Sequence, residues 1–435
     1  MGRALLRFSL PTVPKFMNSF FAVGATVQLV ILILLSVYTT WPETEAAANG
    51  VGSAAGATIY DPTQYAVLMD VMVMIFVGFA VLFCLLPKYG WTGISIALLI
   101  GSMTFEWNLL MGPLIAHGVD AVKQGVIINI DTLAESIFCA ASVLIACAGL
   151  LGRASLEQFV ILMFCMVPAY NFNMWIVISQ IKATDTGGTI FIHAFGAFFG
   201  FACSWVLGHD EGHSMKRRFS EDDNYHTNIF ALLGTIFLWV YYPSFNCYGM
   251  VGLKKFRATF NTQLALIAAA CTSIILSDMT EHTKKSKMIH MQTGVLAGGV
   301  TLGCLADHPI QPWGAILLGS VGAVVCILGI KYLTPFMEEK LKVHDTCDCM
   351  ALHGIPAFFS VFASCISYAA QKKGGAVTND YWVLYDAGQC GKQIGAIFAC
   401  AGLALAFGLP TGLIMGCFSR DDHWYDEGAH FDKNQ

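Results

Sequence analysis

Charge is scarce in this sequence. Asp, Glu, Lys and Arg make up only 12% of its 435 residues, about half of the ~25% that a soluble domain uses to cover itself. A water-facing surface of ordinary size is therefore excluded. Hydrophobic residues reach 56% and the mean hydropathy is +0.62. The net charge of -5 is small and spread out, which argues against a nucleic-acid partner. No N-x-[ST] sequon occurs anywhere, so N-glycosylation is not expected. There is no nucleotide-binding glycine loop and no sizeable soluble domain, so neither an enzyme nor a bound cofactor is expected. Most cysteines, Cys84, Cys139, Cys147, Cys165, Cys203, Cys271, Cys326 and Cys400 among them, lie inside apolar runs. They read as small membrane-core residues rather than as a disulfide framework.

What is abundant is apolar length. Twelve stretches of about 20 residues, each enough to cross a ~30 Å hydrocarbon core, run from 16–38 to 390–416, with 261–278 and 313–333 among those between. The fold class is all-α: a polytopic membrane protein with about twelve transmembrane helices. The first stretch has no convincing cleavage site and reads as a retained helix. Placing the N-terminus inside puts Arg3, Arg7, Lys15, Lys88, Arg153, Lys216, Arg217, Arg218 and Lys331, among others, on the inner side. Roughly half as many basic residues fall outside, and the first loop contains none, so both termini are expected in the cytoplasm.

Two segments carry nearly one signature. DTGGTIFIHAFGAFF begins at Asp185 and DTCDCMALHGIPAFF at Asp345, 160 positions later. Both read D-T-x6-H-x3-A-F-F. They fall on the sixth and eleventh stretches, an odd offset that runs the two helices in opposite directions. The pattern implies two inverted five-helix repeats, 65–208 and 227–366, around a central pore. An extra helix (16–38) precedes them, and a last helix (390–416) and a short cytoplasmic tail (417–435) follow. Each Asp-Thr pair suits a helix N-terminus. Each histidine, His193 and His353, lies eight residues further on, about 12 Å along an α-helix, so the two imidazoles are expected to meet near the midplane. A buried membrane histidine also has a plainer reading as an interhelical hydrogen bond. The other histidines, including His290, His308 and His344, read as loop or span-end residues. The series His344-x2-Cys347-x-Cys349-x3-His353 resembles a metal-ligand cluster, but its spacing is not a standard zinc pattern, and no metal is expected.

The residues around these histidines resemble the Rh glycoproteins within the ammonium transporter superfamily. MIFVGF (Met74–Phe79), IHAFGAFFG (Ile192–Gly200), YPSFN (Tyr242–Asn246), LAGGV (Leu296–Val300), YLTPF (Tyr332–Phe336) and DTC…LHGIP (Asp345–Pro356) occur in the expected order over nearly the whole chain. The resemblance implies a homotrimer in the plasma membrane, with a pore through each subunit that conducts ammonia and, in some members, carbon dioxide. It makes His193 and His353 the twin pore histidines, and Asp185 and Asp345 the acids at the helix entrances. It makes Phe138 and Phe245 the stacked phenylalanines that close the outer mouth. Acidic vestibule residues of that family are replaced here by Met174, Asn228 and Lys287, while Glu338 retains the inner one. A gas channel mainly for carbon dioxide, or a non-conducting membrane scaffold, remain alternatives. Glu106 and Asp70 are left without a role, and GAFFG with Gly408, Gly412 and Gly416 reads as helix-packing surface.

Overall fold

The structure, a computed structural model, describes residues 19–41, 62–86, 90–208, 225–280, 286–374 and 388–418. Lys88, Lys216, Arg217, Arg218 and all but the first two residues of the 417–435 tail lie outside them. The chain is a multi-pass helical membrane protein. Among the described residues, an N-terminal helix α1 (Ser19–Tyr38) is followed by eleven helices long and apolar enough to span a bilayer. They are α2 (Gln64–Leu85), α3 (Gly90–His117), α4 (Ile130–Leu150), α5 (Leu156–Gln180), α6 (Thr189–Leu207), α7 (Tyr225–Cys247), α8 (Gly252–Thr280), α9 (Met288–Leu305), α10 (Pro312–Leu341), α11 (Met350–Ala370) and α12 (Gln389–Gly416).

Two helices are longer than hydropathy implies. α8 starts nine residues before 261 because Lys254, Lys255 and Arg257 lower the local hydropathy without opposing helix. α10 runs eight residues past 333 through MEEKL, which winds as a π-helix (Met337–Leu341). Hydropathy locates the bilayer, whereas helices obey backbone hydrogen bonding and continue beyond it.

The most enclosed spans are α4, α6 and α9. Their sequences explain this: α4 carries CAASVLIACAGL, α6 GAFFG and α9 GVLAGGV, small residues that let backbones approach. A Cβ on Gly196 would sit 2.6 Å from the carbonyl oxygen of Ser142, and one on Gly200 2.9 Å from that of Ala146. α6 thus lies directly on α4. On its other side Gly408 and Gly412 of α12 meet Ala202, Phe199, Cys203 and Val206, but Gly416 faces open space and packs nothing. Gly200→Leu is expected to destabilise the fold by ~1–3 kcal/mol or more, because the obstructing atoms are backbone. A lowered melting temperature of purified protein checks this.

Both unassigned acids have structural partners. Glu106 on α3 accepts from Nε2 of Gln28 on α1, and Ile31, also on α1, is fully buried. Asp70 on α2 accepts from Ser244 Oγ at 2.7 Å, fixing the YPSFN segment. The end of α1 is further tied by a two-residue parallel ladder, Thr39–Thr40 against Val126–Ile127.

Candidate functional site

The site begins with the backbone of two re-entries. Lys182 and Lys342 both adopt positive φ, 60° and 58°. Each is followed by a residue whose N–H reaches six positions back: Ala183 to Val177 O, and Val343 to Met337 O, both at 3.0 Å. Then comes the aspartate. Asp185 Oδ2 accepts from the N–H groups of Ile190 (2.7 Å) and Phe191 (3.1 Å), and Oδ1 accepts from Cys304 Sγ. Asp345 accepts from the N–H groups of Cys349 (2.9 Å) and Met350 (2.8 Å). Three residues after each aspartate the chain is left-handed again, at Gly188 (φ 64°) and Asp348 (φ 53°). Asp is among the few non-glycine residues that tolerate this region. Here Asp348 also accepts from Thr334 Oγ1 at 2.6 Å. The left-handed lysine, the bond six positions back, the aspartate with its bond to the N–H five residues on (Ile190 and Met350), and the left-handed residue after it all recur at an offset of 160. The aspartate's second N–H differs, Phe191 in one half and Cys349 in the other.

Both helices then open on a π-helical turn, Thr189–Ala194 and Met350–Gly354. Such turns occur mostly as single turns at functional positions, and here each carries a histidine. Nδ1 of His193 lies 3.1 Å from Nδ1 of His353. The rings are nearly parallel (5°), with centroids 5.0 Å apart. Contact between ring nitrogens at that centroid spacing means the parallel imidazoles meet at their nitrogen edges and do not overlap face to face.

A cavity of about 30 Å³ adjoins the pair. Apart from both histidines and Tyr242 its walls are apolar: Met74, Phe79, Leu82, Ala141, Ile145, Leu238, Phe245, Leu296 and Leu352. That volume holds roughly one guest the size of water. Ile145 also lines a smaller cavity of about 10 Å³ bounded by His344, Asp345 and Cys349. At the other end Phe138 meets Phe245, centroids 4.9 Å apart, at 89°. The two phenylalanines are thus perpendicular rather than stacked, the arrangement that sets a positive ring edge on a negative face. Tyr248 meets Phe138 at 5.3 Å, and its hydroxyl reaches Asp131 Oδ1 at 3.5 Å.

Asp185 lies outside the spans. Burial pushes its carboxyl up to about 6, against the hydrogen bonds from Phe191, Ile190 and Cys304 that pull it down. Glu338 is buried, not displayed, with Oε1 2.8 Å from His344 Nδ1. Lys287 is exposed, and Met174 and Asn228 are half-buried.

Three histidines read from sequence as loop or span-end residues are instead buried. His344 pairs with Glu338, His290 Nδ1 lies 3.0 Å from Ser277 Oγ, and His308 Nδ1 lies 2.9 Å from Ser367 Oγ. The members of the His-Cys-Cys-His series point to different places. His344 faces Glu338, Cys349 Sγ donates to Ile145 O, and His353 faces His193. Sequence reasoning missed Tyr242, whose hydroxyl lies 3.1 Å from His193 Nε2. Its signal was present in YPSFN: Tyr242 precedes Phe245 by three residues, which places both on one face of α7.

Comparison with known proteins places this geometry. Over 428 residues the chain is 33% identical to Bos taurus "Ammonium transporter Rh type A", covering 96% of this chain and 95% of that one. It is 34% identical over 370 residues to Bos taurus "Ammonium transporter Rh type C", covering 83% and 79%. Among solved structures, the Rh50 channel of Nitrosomonas europaea superposes with a TM-score of 0.68 at 27% identity, over 81% of this chain and 87% of that one. The Saccharomyces cerevisiae Mep2 structure, at 17% identity and a TM-score of 0.64 over 87% and 90%, is similar in fold. The family model described as Ammonium Transporter Family matches residues 29–424, and the chain belongs to that family.

Proposed function

We propose that this protein is a passive ammonia channel. Ammonium gives up its proton near Phe138 and Phe245, neutral NH3 crosses past His193 and His353, and a proton is regained on the far side. Family membership and relatives named as ammonium transporters support the substrate class. The observation that carries the mechanism is the Nδ1···Nδ1 contact of the two histidines beside a cavity otherwise walled by hydrocarbon and one phenol. Moving an ion from water into such surroundings costs far more than moving a neutral molecule that finds one or two hydrogen bonds. A paired imidazole supplies those bonds, and protonating both rings would set like charges side by side. Phe138 and Phe245 would act as the outer gate, and Asp185 and Asp345 as anchors that fix the histidine helices. Glu338 and His344 would form the inner mouth.

The repeating backbone supports the organisation as inverted repeats, 65–208 and 227–366. The homotrimer and the plasma membrane are carried by the family resemblance alone, and cytoplasmic termini by the distribution of Lys and Arg. Stopped-flow measurements on reconstituted vesicles test the reading. Ammonia permeability is expected to exceed that of empty vesicles clearly, under equal gradients of ammonia and carbon dioxide. A rise for carbon dioxide alone would favour a carbon dioxide channel, and no rise for either would favour a scaffold.

A further inference from the structure

Tyr242 is placed to do more than fill space. It is buried on α7, 2% exposed, immediately before the helix-interior Pro243. Its ring lies against the backbone of Gly299, where a Cβ would come within 2.6 Å of the Tyr242 ring. The plane of the phenol is 20° from that of His193, and that of His193 is 5° from that of His353. Three rings therefore lie nearly parallel. They are joined by two contacts of 3.1 Å, Tyr242 Oη to His193 Nε2 and His193 Nδ1 to His353 Nδ1.

Proton counting gives this chain a direction. A neutral phenol has one O–H and each neutral imidazole one N–H, and the other ring nitrogen of each accepts. Two arrangements satisfy both contacts. In one, Tyr242 donates to His193 Nε2, His193 Nδ1–H donates to His353 Nδ1, and His353 keeps its hydrogen on Nε2. In the other, every bond reverses: His353 donates from Nδ1, His193 donates from Nε2 to the phenol oxygen, and His353 Nε2 is a bare acceptor. Among the described residues Tyr242 Oη has His193 Nε2 as its one hydrogen-bond partner. The reversed chain therefore strands a buried O–H with nothing to donate to, which disfavours it.

We infer that Tyr242 is a positioning residue that orients the histidine pair, fixing His193 as the Nδ1–H tautomer and His353 as the Nε2–H tautomer, so that the pair presents a donor to whatever enters the cavity. This rests on the channel reading and deepens it. Ammonia has a lone pair and accepts from a donor. Ammonium has none and meets the same group as a repulsive dipole. The phenol, which need not touch the guest, thus sets the sign of the discrimination. The phenylalanine variant removes the only group that distinguishes the two directions, and leaves His193 Nε2 without its partner.

The test combines two readouts. In full-length reconstituted protein labelled with 15N-histidine, the His193 and His353 signals are assigned by single His→Gln replacements. The neutral rings of the parent protein are expected to show protonated Nδ1 at His193 and protonated Nε2 at His353. Tyr242→Phe is expected to mix the tautomers and to lower ammonia permeability by about 3- to 10-fold, the loss of one favourably oriented hydrogen bond. The opposite tautomers in the parent protein would overturn the inference, even if the variant fails to fold. So would unchanged tautomers in a folded Tyr242→Phe protein. If the parent protein conducts no ammonia, the channel reading fails, while the tautomer spectrum still decides the role of Tyr242.

Discussion

Replacing His193 or His353 by alanine is expected to lower the ammonia permeability of reconstituted vesicles by about tenfold or more. Each variant removes one ring of a two-ring contact and leaves the survivor without its partner at Nδ1. A guest in the cavity then meets hydrocarbon where it met a hydrogen-bonding group, and one hydrogen bond lost between neutral groups is worth about 0.5–1.5 kcal/mol. Leaving a buried polar atom unpaired adds to this. Each 1.36 kcal/mol, roughly, is a factor of ten in rate. Stopped-flow traces with permeabilities unchanged in both alanine variants would sink the mechanism, whatever substrate the protein carries. The variants also open space next to a cavity of about 30 Å³, so the same vesicles should be checked for an ammonium current, which the intact pair is expected to prevent.

The second large effect is on stability, at Asp185. Removing its carboxylate in Asp185→Ala strips two N–H groups, those of Ile190 and Phe191, of their acceptor inside a closed site. At roughly 1–3 kcal/mol for each unsatisfied group, the loss approaches the whole stability of many folds. The alanine variant should express poorly or melt far below the parent protein. Asp185→Asn separates charge from capping. Because burial holds the folded Asp185 carboxyl at about 6, above its ordinary 3.8, folding favours the protonated form. The contribution is fully present below about pH 4 and is lost as pH rises through about 6. A tenfold change in proton affinity is worth about 1.4 kcal/mol, so the parent protein should lose ~3 kcal/mol from this group between about pH 4 and 7. Asp185→Asn should lack that slope. Equal slopes in the two proteins, read from denaturation midpoints across that range, would assign the pH dependence to other groups.

Much of this was legible in the sequence, for identifiable reasons. Span number and the meeting of His193 with His353 follow from hydropathy and from a doubled signature whose spacing is nearly that of a helix. The pairing of Phe138 with Phe245 came instead through resemblance, and its perpendicular geometry could not come that way. The burial of His290, His308 and His344 was hidden because each stands near a span end, where polar neighbours mimic a loop. Glu106 could not be read because its partner, Gln28, is 78 residues away in sequence. The left-handed Lys182, Lys342 and Asp348 leave no compositional trace, since lysine and aspartate are ordinary residues where helices end. Tyr242 was in plain view within the YPSFN motif. Its meaning needed the distance to His193, which no pattern of letters contains.

The hydrogen bond between Gln28 and Glu106 has a consequence for biogenesis. α1 leaves the ribosome before the helices it packs against, α3 and α5, which are made two and four spans later. Until α3 follows it into the bilayer, Gln28 has no Glu106 to bond, and without α1 the Glu106 carboxylate would lose this partner. The docking of α1 therefore cannot be completed until both α3 and α5 are in the bilayer, so a helix made before them settles only after them.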